Sequence, residues 1–376
     1  MAEDRKLTVL QVLPALQSGG VERGTLEVAQ ALVERGHRAL VMSGGGRLVE
    51  ALVASGAEHF EWPIGRKSLK TLWLVGKLRR FLVEQRVDIV HARSRVPAWI
   101  VYLAWRGMAP ATRPRFVTTV HGPYSVSPYS AVMTRGERVI VISEMIRDYV
   151  LTNYPKTDPH KLRLIYRGVD PAAFPYRYRP PQAWLDDWYA QHPETQDKRL
   201  LTLPARITRW KGQEDFIELL AQIKNAAPDA HGLIVGETKD RKDHFLAELR
   251  SKAEALGIAD RISFVGHRSD LREIMAISRI VFSLSREPEA FGRTTVEALS
   301  LGVPVIGYNH GGVREQLLAI LPEGGVPVGR IQEAAATALR WLENPPDIPA
   351  EQPFTLERML SHTLKVYDEL HPIDHA

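Results

Sequence analysis

Residues 280–306 read IVFSLSREPEAFGRTTVEALSLGVPVI, and this stretch decides the fold. It begins with an apolar run at 280–284, which predicts a buried strand, and continues with a helical pattern that ends at Gly302. A second apolar run at 303–306 predicts another strand. A strand, a helix and a strand in this order indicate a parallel βαβ unit, so we expect a doubly wound α/β fold.

Two carboxylates flank the predicted start of this helix. Glu289 lies on the loop between strand and helix, and Glu297 lies in the first turns of the helix. A helix start offers backbone N–H groups without intrahelical partners and the positive end of the helix dipole, and both attract phosphate. Carboxylates accept hydrogen bonds from hydroxyl groups. The pattern therefore favours a site for a phosphorylated sugar.

Strands and helices alternate in the same way through the rest of the chain. Helical patterns such as 21–35 and 213–225 separate short apolar runs, which predicts two Rossmann-like domains, each with a parallel sheet covered on both faces. The predicted strands are Leu7–Leu13, Arg38–Met42, Asp88–His91, Phe116–Val120, Arg138–Ile142 and Leu162–Ile165 in the first domain, and Leu200–Leu203, Gly232–Val235, Ile262–Val265, Ile280–Leu284 and Val303–Ile306 in the second.

Proline-rich segments mark the predicted domain boundaries. Residues 171–199 are rich in proline, which predicts an irregular connection between the domains. We therefore expect an N-terminal domain over 1–170 and a C-terminal domain over 171–354. A last helix within 355–376 is expected to pack back on the first domain.

The composition is that of a soluble globular protein. The chain has 376 residues, of which 44% are hydrophobic and 25% charged, and it contains no cysteine, which excludes disulfides, thiolate zinc sites and cysteine nucleophiles. The N-terminal residues show no signal-peptide pattern, and the longest apolar run, Val96–Trp105, is about half as long as a membrane-spanning helix. We therefore expect a cytoplasmic protein.

Charge is distributed unevenly along the chain. Residues 1–170 hold 25 Lys and Arg against 15 Asp and Glu, whereas residues 171–376 hold 24 against 29. The basic half suggests an anionic partner, which is a lipid surface, a phosphorylated acceptor or nucleic acid, with scattered solubilising charge as the alternative. The predicted helix 69–86 carries Lys70 and four further basic residues, but its apolar residues spread around the axis, so a core helix is the alternative to a membrane-surface helix.

Glycine and histidine follow predicted strands at several places. Gly19 and Gly20 precede a helix, where glycine lets the backbone approach a ligand closely, although a plain tight turn is the alternative. His121 follows the strand 116–120, at the carboxyl end where such sheets bind ligands. It is a candidate for hydrogen bonding to a sugar hydroxyl or a phosphate, with a structural histidine as the alternative. Gly311-Gly312 form a turn before another helix.

Two pairs of cations also lie past strand ends. Arg206 and Lys211 flank a loop between a strand and a helix, where they can hold a diphosphate and neutralise the charge of a departing nucleotide. A solvated basic loop is the alternative. Arg93 and Arg95 follow a strand of the basic half and are candidate acceptor contacts, with plain surface charge as the alternative.

Several motifs are absent from the sequence. There is no Asp-x-Asp, the usual carboxylate pair for a metal-bound nucleotide diphosphate, so we expect neither a metal ion nor a cofactor. A dinucleotide-binding Gly-x-Gly-x-x-Gly and a phosphate-binding P-loop are missing, which disfavours a dehydrogenase. No zinc-finger, RNP-type or helix-turn-helix signature occurs, so we do not expect a nucleic-acid partner.

In combination these features resemble the retaining glycosyltransferases of family four. The resemblance is carried by the two doubly wound domains, by Gly19-Gly20-Val21-Glu22-Arg23, by the Arg206/Lys211 loop and by Glu289 with Glu297, and it runs over most of the chain. It implies the GT-B architecture, in which two Rossmann-like domains face each other across a cleft. The N-terminal domain then binds the acceptor, and the C-terminal domain binds the nucleotide-sugar donor.

The resemblance also implies residue roles. Arg206 and Lys211 would hold the donor diphosphate, Glu297 would bind the nucleotide ribose and Glu289 would face the donor sugar. His121, with Gly19 and Gly20, would complete the donor site from the other domain. The implied catalytic set is His121, Glu289, Arg206 and Lys211. The residues implied to touch phosphate and sugar through their backbone are Phe291, Gly292, Arg293 and Thr294.

The sequence departs from the family pattern at two places. Arg293 stands where a small apolar residue is common, which bears on the sugar contacts, and Arg167-Gly168-Val169-Asp170 replaces the more usual Asn-Gly-Val-Asp. The stretches 91–99 and 289–295 look like those of a bacterial subgroup associated with lipopolysaccharide core assembly.

The expected function is therefore transfer of a hexose, with retention, from a nucleotide sugar to a saccharide or glycolipid acceptor. We expect a UDP-hexose donor and a role in lipopolysaccharide core or other cell-envelope glycan assembly. The expected partners are the donor, a glycolipid or oligosaccharide acceptor, and the anionic inner membrane at its cytoplasmic face. A non-catalytic nucleotide-sugar-binding or regulatory protein of the same fold is the alternative.

Overall fold

The chain divides into two compact units in a computed structural model. The structure describes residues 6–371 except 18, 67, 69, 70, 72 and 239–243. One unit runs to Tyr166 and takes in the chain from Glu357 onward, and the other comprises Arg167–Leu356. The corresponding predicted boundaries lie after residues 170 and 354.

The described part of the first unit is built on a seven-stranded parallel sheet. Its strands are β1 (Thr8–Val12), β2 (Arg38–Ser43), β3 (Glu58–Glu61), β4 (Ile89–Ala92), β5 (Arg115–Val120), β6 (Arg138–Val141) and β7 (Leu162–Leu164). The spatial order is β3-β2-β1-β4-β5-β6-β7, and every neighbouring pair is parallel.

The described part of the second unit repeats this plan with six parallel strands. They are β8 (Arg199–Pro204), β9 (Ala230–Val235), β10 (Ile262–Gly266), β11 (Ser278–Ser283), β12 (Val305–Tyr308) and β13 (Gly325–Val326). The spatial order is β10-β9-β8-β11-β12-β13. The prediction of two Rossmann-like α/β domains is confirmed.

Helices connect the strands in both units and cover the sheets. They are α1 (Gly20–Glu34), α2 (Val49–Ala54), α3 (Leu74–Glu84), α4 (Arg95–Arg106), α5 (Glu144–Asn153), α6 (Gln182–Gln191), α7 (Gln213–Ile223), α8 (His244–Ala255), α9 (Leu271–Ala276), α10 (Arg293–Ser300), α11 (Gly311–Ile320), α12 (Ile331–Glu343) and α13 (Leu356–Leu370). With helices on both faces, central strands such as β4 and β9 are buried along their whole length, so apolar residues predominate in them beside one buried histidine each.

Two of the observed strands were not predicted, because each lacks an apolar run. The edge strand β3 reads Glu58-His59-Phe60-Glu61 and is only partly buried. The strand β13 has two residues, Gly325 and Val326, which is too short for any periodicity to be visible.

The expectation of an irregular segment over 171–199 is wrong for its second half. Helix α6 forms there and presents Trp188 to the core of the second unit, where the residue is 2% exposed. Trp184 stacks on Trp188 with ring centroids 5.4 Å apart, and the Trp188 indole N–H donates to the hydroxyl of Thr195 at 3.0 Å. Burial of two tryptophans therefore stabilises a helix between prolines that mark only its ends.

Helix α3 has a clearer apolar face than the sequence analysis expected. Residues 69 and 70 of the predicted helix lie outside the described residues, and the observed helix begins at Leu74. Its buried residues, Leu74, Leu78, Phe81 and Leu82, recur at the spacing of one helix face. This apolar face was not visible in the longer predicted helix, 69–86.

The last helix, α13, is fixed to the first unit by polar contacts. The hydroxyl of Tyr367 lies 2.8 Å from Nδ1 of His91 on β4. The carboxylate of Glu369 accepts hydrogen bonds from Arg138 at 3.1 Å and from Arg163 at 2.9 Å. The hydrogen bond from Arg163 lowers the pKa of the Glu369 carboxyl below its ordinary value of 4.5. The two arginines stand on adjacent strands, so one carboxylate ties α13 to both.

Replacing Glu369 by Gln should destabilise the first unit by about 1 kcal/mol at neutral pH. Because the folded-state pKa of this carboxyl is depressed, its contribution is present above the unfolded-state pKa and is lost as the pH falls through the folded-state pKa. The melting temperatures of E369Q and the parent protein should therefore differ at about pH 7 and converge at about pH 3. A constant difference at both pH values would contradict this account, and the exposed Glu84→Gln is the matched control.

Candidate functional site

The candidate site lies where the order of strands in the second unit reverses. The connection after β8 leads to β9 on one side, and β11 stands on the other side of β8. In open parallel sheets the carboxyl ends of two such strands leave a crevice, which is the usual place for a ligand. A cavity of about 220 Å³ lies there. Its polar lining residues are Arg206, Lys211, Ser283, Ser285, Glu289, Arg293 and Thr294.

An ion pair in the wall of this cavity joins the two loops. Nζ of Lys211, from the loop after β8, lies 2.8 Å from Oε1 of Glu289, from the loop after β11. Their side chains are 12% and 22% exposed, and the hydroxyl of Ser285 donates to the same Glu289 oxygen at 2.5 Å. The Lys211 ammonium is thus held at the cavity before any ligand arrives, while Arg206 is exposed.

The loop that carries Lys211 is shaped by Gly212. This residue adopts a left-handed conformation with φ +79° and caps the start of α7. A Cβ atom at this position would lie 2.0 Å from the carbonyl oxygen of Leu284, next to the β11 loop. Only glycine lets the two loops approach this closely, which brings Lys211 within reach of Glu289.

A buried carboxylate provides a second connection between the same loops. Asp215, in the first turn of α7, is completely buried and accepts hydrogen bonds from the guanidinium of Arg286 and, at 2.5 Å, from the hydroxyl of Tyr308. The hydrogen bond to Asp215 raises the pKa of Arg286, so the cation stays charged. The backbone N–H of Arg286 donates to the carbonyl of Trp210 at 2.7 Å. These contacts fix the spacing between the loops.

The loop that carries Glu289 rests on the start of α11. The backbone N–H of Gly312 donates to the carbonyl of Glu289 at 2.8 Å, and the Gln316 amide donates to the carbonyl of Phe291 at 2.5 Å. A Cβ atom on Gly312 would lie 2.4 Å from Cα of Phe291. The Gly311-Gly312 turn therefore has a structural role, which is to hold the loop that carries a candidate site residue.

The start of α10 completes the described cavity. Gly292 caps this helix in a left-handed conformation, Phe291 before it is buried, and Thr294 lines the cavity. The guanidinium of Arg293 donates to Glu297 at 2.7 Å, one turn further on, where Glu297 is 6% exposed. The unusual Arg293 is thus a partner of Glu297, and the predicted ribose contact of Glu297 stays a prediction.

The predicted site residues of the first unit occupy the carboxyl edge of its sheet. Gly19 caps α1, Gly20 is the first residue of that helix, and His121 follows β5. A Cβ atom on Gly20 would meet nothing within 4 Å, so no contact within the unit demands glycine there. The contribution of Gly19, Gly20 and His121 to a donor site stays a prediction.

The two candidate acceptor contacts differ in exposure. Arg93 is 2% exposed and donates to the side chain of Gln11 at 2.5 Å, and burial lowers the pKa of its guanidinium. Arg95, at the start of α4, is half-buried and lies over the ring of Tyr124 at 4.8 Å. Arg93 is therefore an internal residue of the unit, whereas Arg95 is partly exposed, and its predicted acceptor contact stays a prediction.

The described residues were searched for a group of side chains that could bind a metal ion. No group of three or more His, Asp or Glu side chains within them is arranged to hold a metal ion. The expectation of a metal-independent reaction stays a prediction.

Comparison with known proteins assigns the chain to a family. Residues 18–173 match Glycosyltransferase Family 4, and residues 186–352 match Glycosyl transferases group 1. A glycosyltransferase of solved structure from Rickettsia africae is 31% identical, and the alignment covers 98% of this chain and 99% of that one with a TM-score of 0.81. The chain belongs to the glycosyltransferases, with a family 4 domain followed by a group 1 domain.

Two further relatives show how far the likeness extends. N-acetyl-alpha-D-glucosaminyl L-malate synthase of Bacillus anthracis is 24% identical over 315 residues, 80% of this chain and 78% of its own length. Anabaena HepE, solved in complex with UDP-glucose, is 22% identical over 96% of this chain and 95% of its own, with a TM-score of 0.71. The likeness to HepE shows that the two proteins share a fold. The relatives carry mixed names, so the lipopolysaccharide-core subgroup stays a prediction.

The close approach at Gly212 can be tested against a matched glycine. Gly329, in the same unit, has φ +76° and open space around it, so Gly329→Ala carries only the cost of a left-handed alanine, about 1 kcal/mol. Gly212→Ala carries that cost and must also displace the Leu284 carbonyl. Thermal melting should show a clearly larger loss of stability for G212A than for G329A. Equal losses would mean that the loops do not need their observed spacing.

Proposed function

We propose that this protein transfers a hexose from a UDP-hexose to a saccharide or glycolipid acceptor, with retention of the anomeric configuration. One observation carries the proposal: Arg206, the Lys211–Glu289 pair and the start of α10 border one cavity at the strand-order reversal of the group 1 domain. Cations and a helix start at one cavity suit a diphosphate. A carboxylate beside them suits sugar hydroxyls.

The chemical role of the cations is to stabilise the leaving group. As the bond from the sugar to the diphosphate lengthens, negative charge grows on the diphosphate oxygens and positive charge on the sugar ring. In the proposed reaction Lys211 and Arg206 donate hydrogen bonds to the diphosphate oxygens and stabilise the growing negative charge, together with the N–H groups at the start of α10. Because Lys211 is already held by Glu289, little reorganisation is needed during the reaction.

Glu289 has a second proposed role towards the donor sugar. Its carboxylate is anchored by Lys211 and Ser285 through the same oxygen, Oε1. In this role the carboxylate accepts hydrogen bonds from sugar hydroxyls and places a negative charge near the electron-poor ring. No residue is assigned as a covalent nucleophile. Glu297 would bind the ribose, and His121 with Gly20 would contact the donor from the first unit.

The proposed acceptor is a saccharide or glycolipid of the cell envelope, with lipopolysaccharide core as the expected pathway. The basic first half of the chain favours an anionic acceptor or an anionic membrane surface. Trp73 is 71% exposed just before α3, and Val83 is 61% exposed within it, beside the exposed Lys77 and Arg80. Within the described residues, no helix has the length and apolar character needed to cross a membrane.

The alternative is a nucleotide-sugar-binding or regulatory protein without catalysis. The two proposals agree on donor binding and differ in turnover. Calorimetric titration with the donor, followed by an assay for release of the nucleoside diphosphate with a panel of glycan acceptors, separates them. Tight binding without release for any acceptor would favour the regulatory protein.

Donor choice should be visible in thermal stability. A ligand that binds only the folded state raises the melting temperature. We expect UDP and UDP-hexoses to raise it more than the corresponding GDP and ADP compounds do. A preference for another base would overturn the UDP assignment and leave the class of enzyme intact, whereas no shift with any nucleotide sugar would contradict the proposed site.

Removal of either cation should slow the reaction strongly. Arg206→Ala and Lys211→Ala should each cost about 2–4 kcal/mol of transition-state stabilisation, by analogy with the loss of one oxyanion-hole donor. Turnover at saturating donor is the measurement, and the exposed Lys198→Ala in the same unit is the control. Parental turnover in either variant would contradict the proposed diphosphate site. Loss of turnover in EDTA would show that the reaction needs a metal ion.

Membrane association should depend on anionic lipid and on Trp73. We expect the protein to float with phosphatidylglycerol vesicles at low salt and not with phosphatidylcholine vesicles, since basic residues are attracted to anionic surfaces. Trp73→Ala should weaken flotation, with the exposed Val126→Ala as the control in the same unit. No flotation at low salt would remove the membrane from the proposal.

A further inference from the structure

A second cavity, of about 430 Å³, lies in the first unit. Its walls come from the last turns of α4, from residues 134–135 before β6 and from residues 153–158 between α5 and β7. Segments that end a helix or lead into a parallel strand lie at the amino ends of the strands. His121 and Gly20 follow strands at the carboxyl edge. The cavity is therefore separate from every candidate site residue of this unit.

The rim of this cavity is basic. Arg135, Lys156 and Lys161 line it, and Asp158 is the carboxylate among the lining residues. In the described part of the chain none of the three cations forms a salt bridge, and Asp158 accepts a hydrogen bond from the backbone N–H of His160 at 2.9 Å. Three cations against one carboxylate give the rim a net positive charge, which attracts an anion to the cavity.

A hydroxyl group within the wall lacks a hydrogen-bond partner. Thr157 lines the cavity and is 9% exposed, and its Oγ1 has no partner among the described residues. A buried hydroxyl without a partner destabilises the folded protein, so a ligand that supplies the partner gains affinity. Rotation about χ1 carries the hydroxyl to another staggered position, so a ligand in the cavity can supply the missing partner.

Part of the remaining lining is aromatic. Tyr102, Trp105 and Tyr154 contribute to the wall, and the rings of Tyr102 and Trp105 are stacked with centroids 6.3 Å apart. The Trp105 ring is held in place by the guanidinium of Arg113 at 3.6 Å and by its own indole N–H, which donates to the carbonyl of Pro114 at 2.9 Å. Fixed aromatic surfaces with a few polar groups are typical of small-molecule sites.

We propose that this cavity binds a phosphorylated sugar. The aromatic wall takes the apolar face of the sugar ring, the rim cations bind the phosphate, and Thr157 hydrogen-bonds to a hydroxyl or phosphate oxygen. The volume suits one ring with its phosphate. The same chemistry occurs in a free sugar phosphate and in the phosphorylated polyol headgroup of a lipid. The site goes beyond the proposed transferase reaction and does not depend on it.

The first experiment titrates glucose 6-phosphate into the protein in the presence of saturating UDP. Binding is measured by Trp fluorescence and by calorimetry. Binding should be saturable, and glucose should bind more weakly. Lys156→Gln combined with Lys161→Gln should weaken it about tenfold per cation, the equivalent of one charge-assisted hydrogen bond each. Thr157→Val should weaken it as well. The exposed Lys365→Gln, in the same unit, should bind as the parent does.

The second experiment distinguishes the sources of the ligand. Vesicles with phosphatidylinositol 4-phosphate are compared with phosphatidylserine vesicles of equal charge, for the parent protein and for the Lys156/Lys161 double variant. A preference for the inositol phosphate that the double variant loses assigns the site to a lipid headgroup, whereas binding of the soluble probe alone assigns it to a free sugar phosphate.

Three results would overturn the proposal. They are the absence of saturable binding in both experiments, equal affinity for glucose and glucose 6-phosphate, and parental affinity in the Lys156/Lys161 double variant. Circular dichroism and melting temperature establish that the variants fold. Binding of UDP and turnover of the donor are measured separately, so failure of this site and failure of the proposed transferase reaction are distinguishable.

Discussion

The reversal of strand order between β8 and β11 is the constraint on which the candidate site depends. These strands are parallel neighbours, yet the chain leaves their carboxyl ends towards opposite sides of the sheet. A crevice must open between the two departing loops, because neither connection covers it. The loops that border it supply the cations and the carboxylate. Their chemistry is useful only if the crevice stays narrow enough for Lys211 to reach Glu289.

Close packing of loop backbone keeps that crevice narrow. Gly212 lies against the Leu284 carbonyl on one side, and Gly312 lies against Phe291 on the other. Asp215 then joins the two loops through Arg286, away from the cavity. A buried carboxylate with two hydrogen-bond donors is costly to disturb, since loss of one partner leaves a charge in the interior. Positions outside the cavity therefore set the geometry of the residues that line it.

The candidate site was predictable from the sequence to the extent that its residues follow strands. Arg206, Lys211 and Glu289 lie on loops that follow apolar runs, and parallel strands bring their carboxyl ends to one edge, so their proximity could be expected. Ser285 and Asp215 gave no such signal. Serine in a loop and an acidic residue in the first turn of a helix are both common. Their contacts depend on side-chain directions that only packing fixes. The burial of Arg93 was hidden for the same reason, since a charged residue past a strand end is usually exposed.

The sequence by itself determined the fold class and the family, because apolar periodicity and residues at strand ends are local properties of the chain. It also determined that cations and carboxylates would follow the central strands. Only the tertiary structure decided which of them pair: that Lys211 binds Glu289, that Arg293 binds Glu297, and that α13 is held by Glu369. It alone assembled Arg135, Lys156 and Thr157 around an aromatic cavity. The physical reason is that pairing depends on distances between residues far apart in the chain, and only the packing of helices on the sheet sets those distances.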